Sequence, residues 1–257
     1  MNRVTARDEK LLHRLGEFGV LSTSQLRFLF FADVRKTTML RRLRALESMQ
    51  LLRRLRGLPD GSHGWCLTKK CASAIGVVPV GNGLNRHTLG HDVTLSQVRL
   101  ALAGVGIGTE WTPEHVLRFE AWQSRKPHST RPENIPDAVF TVETSRGGFA
   151  AVALELELTA KSTSLYKKTL KAYRYNQTLG MVWFLVPNIA LGKKLERVWK
   201  KVGHGTLDRT LQWSLIREVL ETPYDSILHD ESAHGPLRER IIMKPPPAHG
   251  GAQTMSS

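Results

Sequence analysis

The sequence predicts an α/β (α+β) chain in two parts: a small helical unit closed by a hairpin, then a mixed sheet flanked by helices. Three observations predict it. Three segments of helical period lie between residues 6 and 49, followed by two short strand-like runs around Pro59-Asp60-Gly61. Two apolar strands joined by a turn lie between Pro136 and Leu158. After them, basic amphipathic segments alternate with apolar runs, the pattern of helices laid on a sheet.

The elements follow in order. RDEKLLHRLGEFG places Leu11, Leu12, Leu15 and Phe18 on one face and stops at glycine. LSTSQLRFLFF can be capped by Ser22, Thr23 or Ser24 and carries Leu26, Leu29 and Phe30. The third helix, about Arg35 to Met49, turns Met39, Leu40, Leu43 and Leu46 inward and keeps Arg35, Lys36, Arg41, Arg42 and Arg44 on its other face. Leu51 to Leu55, the turn PDGSHG and Trp65-Cys66-Leu67 read as a hairpin. These residues form a first domain over 1–78, and the Gly-, Pro- and Asn-rich stretch 79–92 is its linker.

The second domain is expected over 93–243. A helix is predicted from about Asp92 to Gly104, with Val93, Val98, Leu100 and Leu102 facing a sheet. VLRFEAW is predicted as a strand and SRKPHSTRPEN as a polar loop. Pro136 to Val142 and Phe149 to Leu158 are the central strands. An amphipathic helix with Lys167, Lys168, Lys171 and Arg174 comes next, then the buried strand MVWFLVPN, the helix LGKKLERVWKKVG and a last strand in LQWSLIREVL. The Pro- and Gly-rich tail, 244–257, is expected to be disordered.

Charge points to the partner. The 257 residues carry 37 Lys and Arg against 23 Asp and Glu, a net +14, which makes nucleic acid the leading partner. Residues 1–85 hold 15 of the cations and six of the acids. Thr37, Thr38 and Arg41 are candidates for base-edge contacts, within a set completed by Arg35, Lys36, Arg42 and Arg44; Arg53, Arg54 and Arg56 on the hairpin suit phosphates. No apolar run reaches bilayer-spanning length and MNRVTARDEK has no apolar leader, so no membrane partner and a cytoplasmic location are expected. The two cysteines, Cys66 and Cys71, have no partners at metal spacing and read as reduced, partly buried thiols.

The chemistry is concentrated in three acids. Asp137 stands at the start of the strand pair, and Glu155 and Glu157 project from one side of the return strand. Carboxylates converging at a sheet edge repel one another unless a cation sits between them, and hard oxygen ligands suit Mg2+ or Mn2+. His87 and His91 have the spacing of one helix face, but Gly90 argues for a turn and both read as capping or packing residues. Trp122, beside the polar loop, is a candidate to stack on an unpaired base.

Three helices and a hairpin with a basic third helix resemble a winged helix-turn-helix over residues 6–76. Pro136-Asp137 with Glu155-Leu156-Glu157 is similar to the core of the PD-(D/E)XK nuclease fold. The two together, with HTLGHDVTLSQVRLAL and ELELTAKS…YKKTLKAYRY, resemble the replication-relaxation family, which includes the MobC-type plasmid relaxases, over residues 6 to about 220. That resemblance implies nicking or processing of plasmid or mobile-element DNA by metal-dependent phosphodiester cleavage. Asp137 and Glu155 would hold the ion. Glu157 stands where the family's lysine usually stands, leaving Lys161 or Lys171 to supply positive charge and Glu114 a further carboxylate. The nucleophile is open between water and a tyrosine hydroxyl of Tyr166, Tyr173 or Tyr175. The alternative is a non-catalytic DNA-binding accessory protein or transcriptional regulator with a degenerate nuclease fold. Duplex DNA is the expected partner, with single-stranded DNA, a second copy of the chain and plasmid-transfer or replication proteins open to it.

Overall fold

Caps written into the sequence start most of the N-terminal helices. Helix α1 (Ala6–Phe18) follows Thr5, and Thr5 and Asp8 satisfy each other's backbone N–H groups in a capping box. It ends at Gly19, whose φ of 79° needs a residue without Cβ. Strand β1 (Leu21–Ser22) runs straight into α2 (Thr23–Phe30), where Ser22 and Gln25 form a second capping box. Helix α3 (Lys36–Ser48) differs: its N-cap is Arg35, which makes no side-chain cap. Strands β2 (Leu52–Arg56) and β3 (His63–Leu67) follow, then α4 (Lys69–Ala74), capped by Thr68.

The chain continues through α5 (Arg86–Gly104), β4 (Thr109–Pro113) and α6 (Glu114–Gln123) to β5 (Ala138–Thr144) and β6 (Phe149–Leu156). Then come α7 (Thr163–Tyr175), β7 (Met181–Val186), α8 (Ile189–Lys201), β8 (Leu211–Leu215), α9 (Ile216–Glu221), β9 (Ile227–His229), β10 (His234–Pro236), α10 (Leu237–Arg240) and β11 (Ile241–Ile242). This structure, a computed structural model, describes residues 3–81, 86–124, 134–145, 147–176, 178–202, 211–230 and 234–242. The tail from 244, most of the polar loop before Pro136 and residues 82–85 of the predicted linker lie outside the described residues. The chain divides into two units, Met1–Gln97 with Thr112–Asp137, and Val98–Trp111 with Ala138–Ser257.

In the first unit β1, β3 and β2 form an antiparallel sheet, with Leu21 opposite Trp65 and Arg53 opposite Cys66. Leu11, Leu15, Leu26, Leu43 and Leu46 are fully buried, each contributing about 1.5–3 kcal/mol relative to exposure. One ion pair joins α1 to α3. Arg42 Nε donates to Asp8 Oδ1 at 3.0 Å, its Nη2 donates to Asp8 Oδ2, and the same Nη2 reaches the Arg3 carbonyl at 2.7 Å. Burial alone would raise the Asp8 pKa, but hydrogen bonds from Arg42 and Thr5 outweigh it and hold the carboxyl below its ordinary value. The thiols of Cys66 and Cys71 are free and buried, and burial pushes both pKa values up.

Three sequence expectations are corrected here. Helix α5 begins at Arg86 rather than near Asp92 and runs through Gly90 without a turn. Tertiary bonds hold its first half: Leu89 packs with Val20 and Cys66, Gln25 Nε2 donates to the Val93 carbonyl at 3.0 Å, and Ser96 Oγ donates to the Val20 carbonyl at 2.6 Å. The predicted strand VLRFEAW is helix α6. Pro113 has the extended backbone of an N-cap, Glu114 favours the positive end of the helix, and Glu114 pairs with Arg118 one turn on. The predicted last strand is likewise half helix, β8 running straight into α9.

The second unit is built on a large mixed sheet flanked by helices, of order β10-β9-β8-β7-β6-β5-β11, with β4 pairing β5. β5 and β6 are antiparallel; β6, β7 and β8 are parallel and linked by α7 and α8 as crossovers. Register decides the faces. Ala153, Val182 and Leu211 lie in one row, and Glu155, Phe184 and Trp213 in the next row on the same face. Tyr166, Leu170 and Tyr173 of α7, with Leu191, Leu195 and Trp199 of α8, pack against those rows. On the opposite face Phe140 stacks on Trp111 at 4.7 Å and meets Trp183 edge-on at 6.4 Å.

Two stability predictions follow from this packing. Arg42→Ala leaves the buried Asp8 carboxylate uncompensated and should destabilise the protein by about 3 kcal/mol in thermal or urea unfolding at neutral pH. Because the Asp8 pKa is lower when folded, its contribution is present above the unfolded value of 3.8 and is lost as pH falls below it; the gap between wild type and Arg42→Ala should close there. A Cβ at Gly192 would lie 2.5 Å from Trp213 Cε2 and Cε3. Gly192→Ala should therefore cost about 1–3 kcal/mol, measured as a lower melting temperature.

Candidate functional site

The α3 surface presents most of the predicted nucleic-acid residues. Met39, Leu43 and Leu46 are buried while Arg35, Lys36, Thr37, Thr38, Arg41 and Arg44 are exposed. The helical repeat explains the division, since the apolar positions recur every three to four residues and the basic ones fill the gaps. Arg42 separates from the set, because its guanidinium is committed to Asp8 and the Arg3 carbonyl. On the hairpin Arg56 is exposed, Arg54 pairs with Glu47 at 3.3 Å, and Arg53 Nε donates to Cys66 Sγ at 3.4 Å. Arg53 and Arg54 are both half-buried.

The predicted acids occupy different surroundings. Glu155 and Glu157 do share a face, the face covered by α7, and they are 7 % and 3 % exposed. The Tyr173 hydroxyl donates to Glu155 Oε1. Glu157 accepts from Lys161 Nζ at 2.7 Å and from the Tyr166 hydroxyl at 3.3 Å. Burial pushes the Tyr166 hydroxyl up, with the Glu157 charge adding to it, so the phenol stays protonated and serves as a donor. Tyr166 and Tyr173 are thus core residues that satisfy buried carboxylates, and Tyr175 is the exposed member of the three. Lys161 is held by Glu157, while Lys171 is exposed on α7.

Asp137 belongs to the first unit and lines a cavity of about 640 Å³ there, with Thr88, His91, Asp92, Glu114, His115 and Arg118 among the lining residues. His91 Nε2 lies 3.2 Å from Asp137 Oδ2, and Nδ1 lies 3.6 Å from Asp92 Oδ1. Burial alone would keep this imidazole neutral, but the Asp137 and Asp92 carboxylates outweigh it and raise its pKa to about 10. The Glu114 N–H donates to the Asp137 carbonyl at 2.9 Å, and the Glu114 carboxylate is paired with Arg118.

His91 is the residue that sequence reasoning set aside, on the ground that Gly90 breaks the helix. It does not: the Thr94 hydroxyl donates back to the Gly90 carbonyl at 2.8 Å inside an unbroken α5. The His87–His91 spacing was the available signal, although the His87 side chain lies outside the described ones. Trp122, the candidate for base stacking, is 67 % exposed on α6.

The sequence pattern of one family, replication-relaxation, matches residues 12–180. The chain belongs to the replication-relaxation family. No curated protein and no solved structure gives a significant match. Family membership puts its role in plasmid or mobile-element DNA processing, with DNA-related partners. No helix among the described residues is long and apolar enough to cross a membrane.

The divalent ion implied by the nuclease resemblance has to be tested against this replication-relaxation chain's own donors. Among the described residues, no three His, Cys, Asp or Glu side chains gather as a group that could hold a metal. Glu155 and Glu157 accept hydrogen bonds from two phenols and a lysine, donors of the kind that satisfy a buried structural acid. As placed, Glu155 and Glu157 are answered by protein donors, and Asp137 lines its cavity beside His91 and Glu114.

The His91 pairing has a spectroscopic consequence. A pKa raised above the unfolded value of 6.5 gives stability that is whole below pH 6.5 and is lost as pH rises through about 10. An NMR titration of the imidazole should find His91 doubly protonated at pH 8. A neutral tautomer at that pH would contradict the pairing with Asp137.

Proposed function

We propose that this replication-relaxation protein acts in plasmid or mobile-element DNA processing as a duplex-binding protein that reads DNA through α3 and the adjoining hairpin. The observation that carries this is the uncapped, cationic start of α3. Thr5, Ser22 and Thr68 cap α1, α2 and α4, whereas α3 begins at Arg35 and Lys36. Cations at the positive end of a helix oppose its dipole, and a phosphate placed there relieves the conflict. The element order from α1 to β3 supports a winged helix, with α3 in the major groove and Arg56 on a phosphate. Arg41 and Arg44 are exposed for this role and Arg42 is not part of it. The second unit, in this proposal, is a nuclease-like scaffold whose acids serve its own core.

Metal-dependent phosphodiester cleavage is the second reading, favoured by one observation: Asp137 lines an open cavity beside Glu114 and His91. Two experiments separate the readings. Arg41→Ala with Arg44→Ala should weaken duplex binding about tenfold or more at fixed salt and reduce the salt slope by roughly 2, and Thr37 and Thr38 substitutions should change sequence preference. Unchanged binding in the double variant would refute the α3 assignment. A supercoiled plasmid carrying the native origin should stay intact with Mg2+ or Mn2+. Nicking that disappears in both Asp137→Ala and Glu155→Gln would establish the enzyme instead.

A further inference from the structure

We infer that α7 and α8 form a second surface for the DNA backbone, on the sheet-bearing unit and independent of α3. Both helices lie on one face of the sheet and share one core cluster, Leu170 and Tyr173 from α7 with Leu195 and Trp199 from α8. Their outward sides are cationic. Lys167 and Lys171 on α7, and Lys193, Arg197, Lys200 and Lys201 on α8, are all exposed. No ion pair joins any of these six to a carboxylate among the described residues.

The charges of these helices that could blur the pattern are turned elsewhere. Glu196, the single acid in either helix, accepts from Trp213 Nε1 at 2.7 Å. Arg174 is buried, its guanidinium 4.2 Å above the Trp199 ring. Lys194 donates to the Lys161 carbonyl at 2.8 Å. The fully exposed charges of the two helices are of one sign, with Glu196 half-buried among them.

Spacing suits a phosphodiester chain. Lys193, Arg197 and Lys200 stand at i, i+4 and i+7, one stripe about 10 Å long at 1.5 Å per residue. At about 3.4 Å of axis rise per nucleotide, such a stripe matches roughly three phosphates of one strand. The α7 cations extend the field sideways by the spacing of two packed helices, about 8–10 Å. An anionic membrane is disfavoured because the apolar sides of both helices are used against the sheet and cannot enter lipid. Duplex DNA as occupant rests on the proposed DNA function, but the surface itself lies outside the part of the chain used there.

The full chain is tested with a random-sequence 30-base-pair duplex, its binding constant measured against salt concentration. Lys193→Gln with Arg197→Gln and Lys200→Gln should reduce the log–log salt slope by about 2 to 3 and weaken binding about tenfold, with the melting temperature unchanged. Each single substitution should reduce the slope by about one, and Lys193→Arg with Lys200→Arg should retain it, so a triple variant that folds poorly does not block the test. A slope unchanged in the singles and the triple, with binding abolished by the α3 variants alone, overturns this inference and leaves the proposed function standing. The reverse result, with the α3 variants silent and the α8 variants defective, supports this surface and removes the α3 one. Loss of binding to phosphatidylserine vesicles without loss of duplex binding assigns the face to a membrane and also overturns it.

Discussion

A carboxylate taken out of water must be given donors, and that requirement organises the second unit. Glu155 and Glu157 point into the face that α7 covers, where the parallel strands β6 to β8 bury their large side chains. The chain answers with Tyr173, Tyr166 and Lys161, each positioned by α7 or by the turn leading into it. Tyr166 serves twice: its hydroxyl donates to Glu157 and accepts from the Lys161 N–H at 3.0 Å. The seating of α7 on the sheet thus combines apolar packing with the satisfaction of two buried acids.

The same accounting runs through the first unit at a different place. Asp8 has no exposed surface, so Arg42 is drawn off the basic face of α3 and into the joint between α1 and α3. That leaves α3 with a smaller but cleaner set of exposed cations, and it ties the orientation of the helix to a charge pair as well as to Met39, Leu43 and Leu46. In the cavity beside α5, His91 supplies a positive charge that Asp137 and Asp92 share. In all three places an acid is matched by a partner in its own unit.

Much of the fold was legible because local rules governed it. The α1 to β3 order followed from periodicity, with Ser22 among the caps offered for α2, and the strands at 138–144 and 149–156 from their apolar runs around a turn. Misreadings came where tertiary bonds overrode local signals. Gly90 reads as a breaker, yet α5 is held straight through it by Leu89, Val93 and Ser96. VLRFEAW reads as a strand from its composition, yet Pro113 and the Glu114–Arg118 pair start a helix. Of the candidate site, the exposed basic face of α3 was readable from spacing, whereas the withdrawal of Arg42 was not, because Asp8 lies 34 residues away in the chain.

By itself the sequence determined the charge excess, the helix and strand periods, the common face of Glu155 and Glu157 and the family pattern over residues 12–180, since all of these are properties of composition or of short spacing. Only the tertiary structure decided which charges remain outside. Burial and partnering depend on atoms far apart along the chain, and a carboxylate's role changes completely when a tyrosine from the covering helix reaches it before any ligand can.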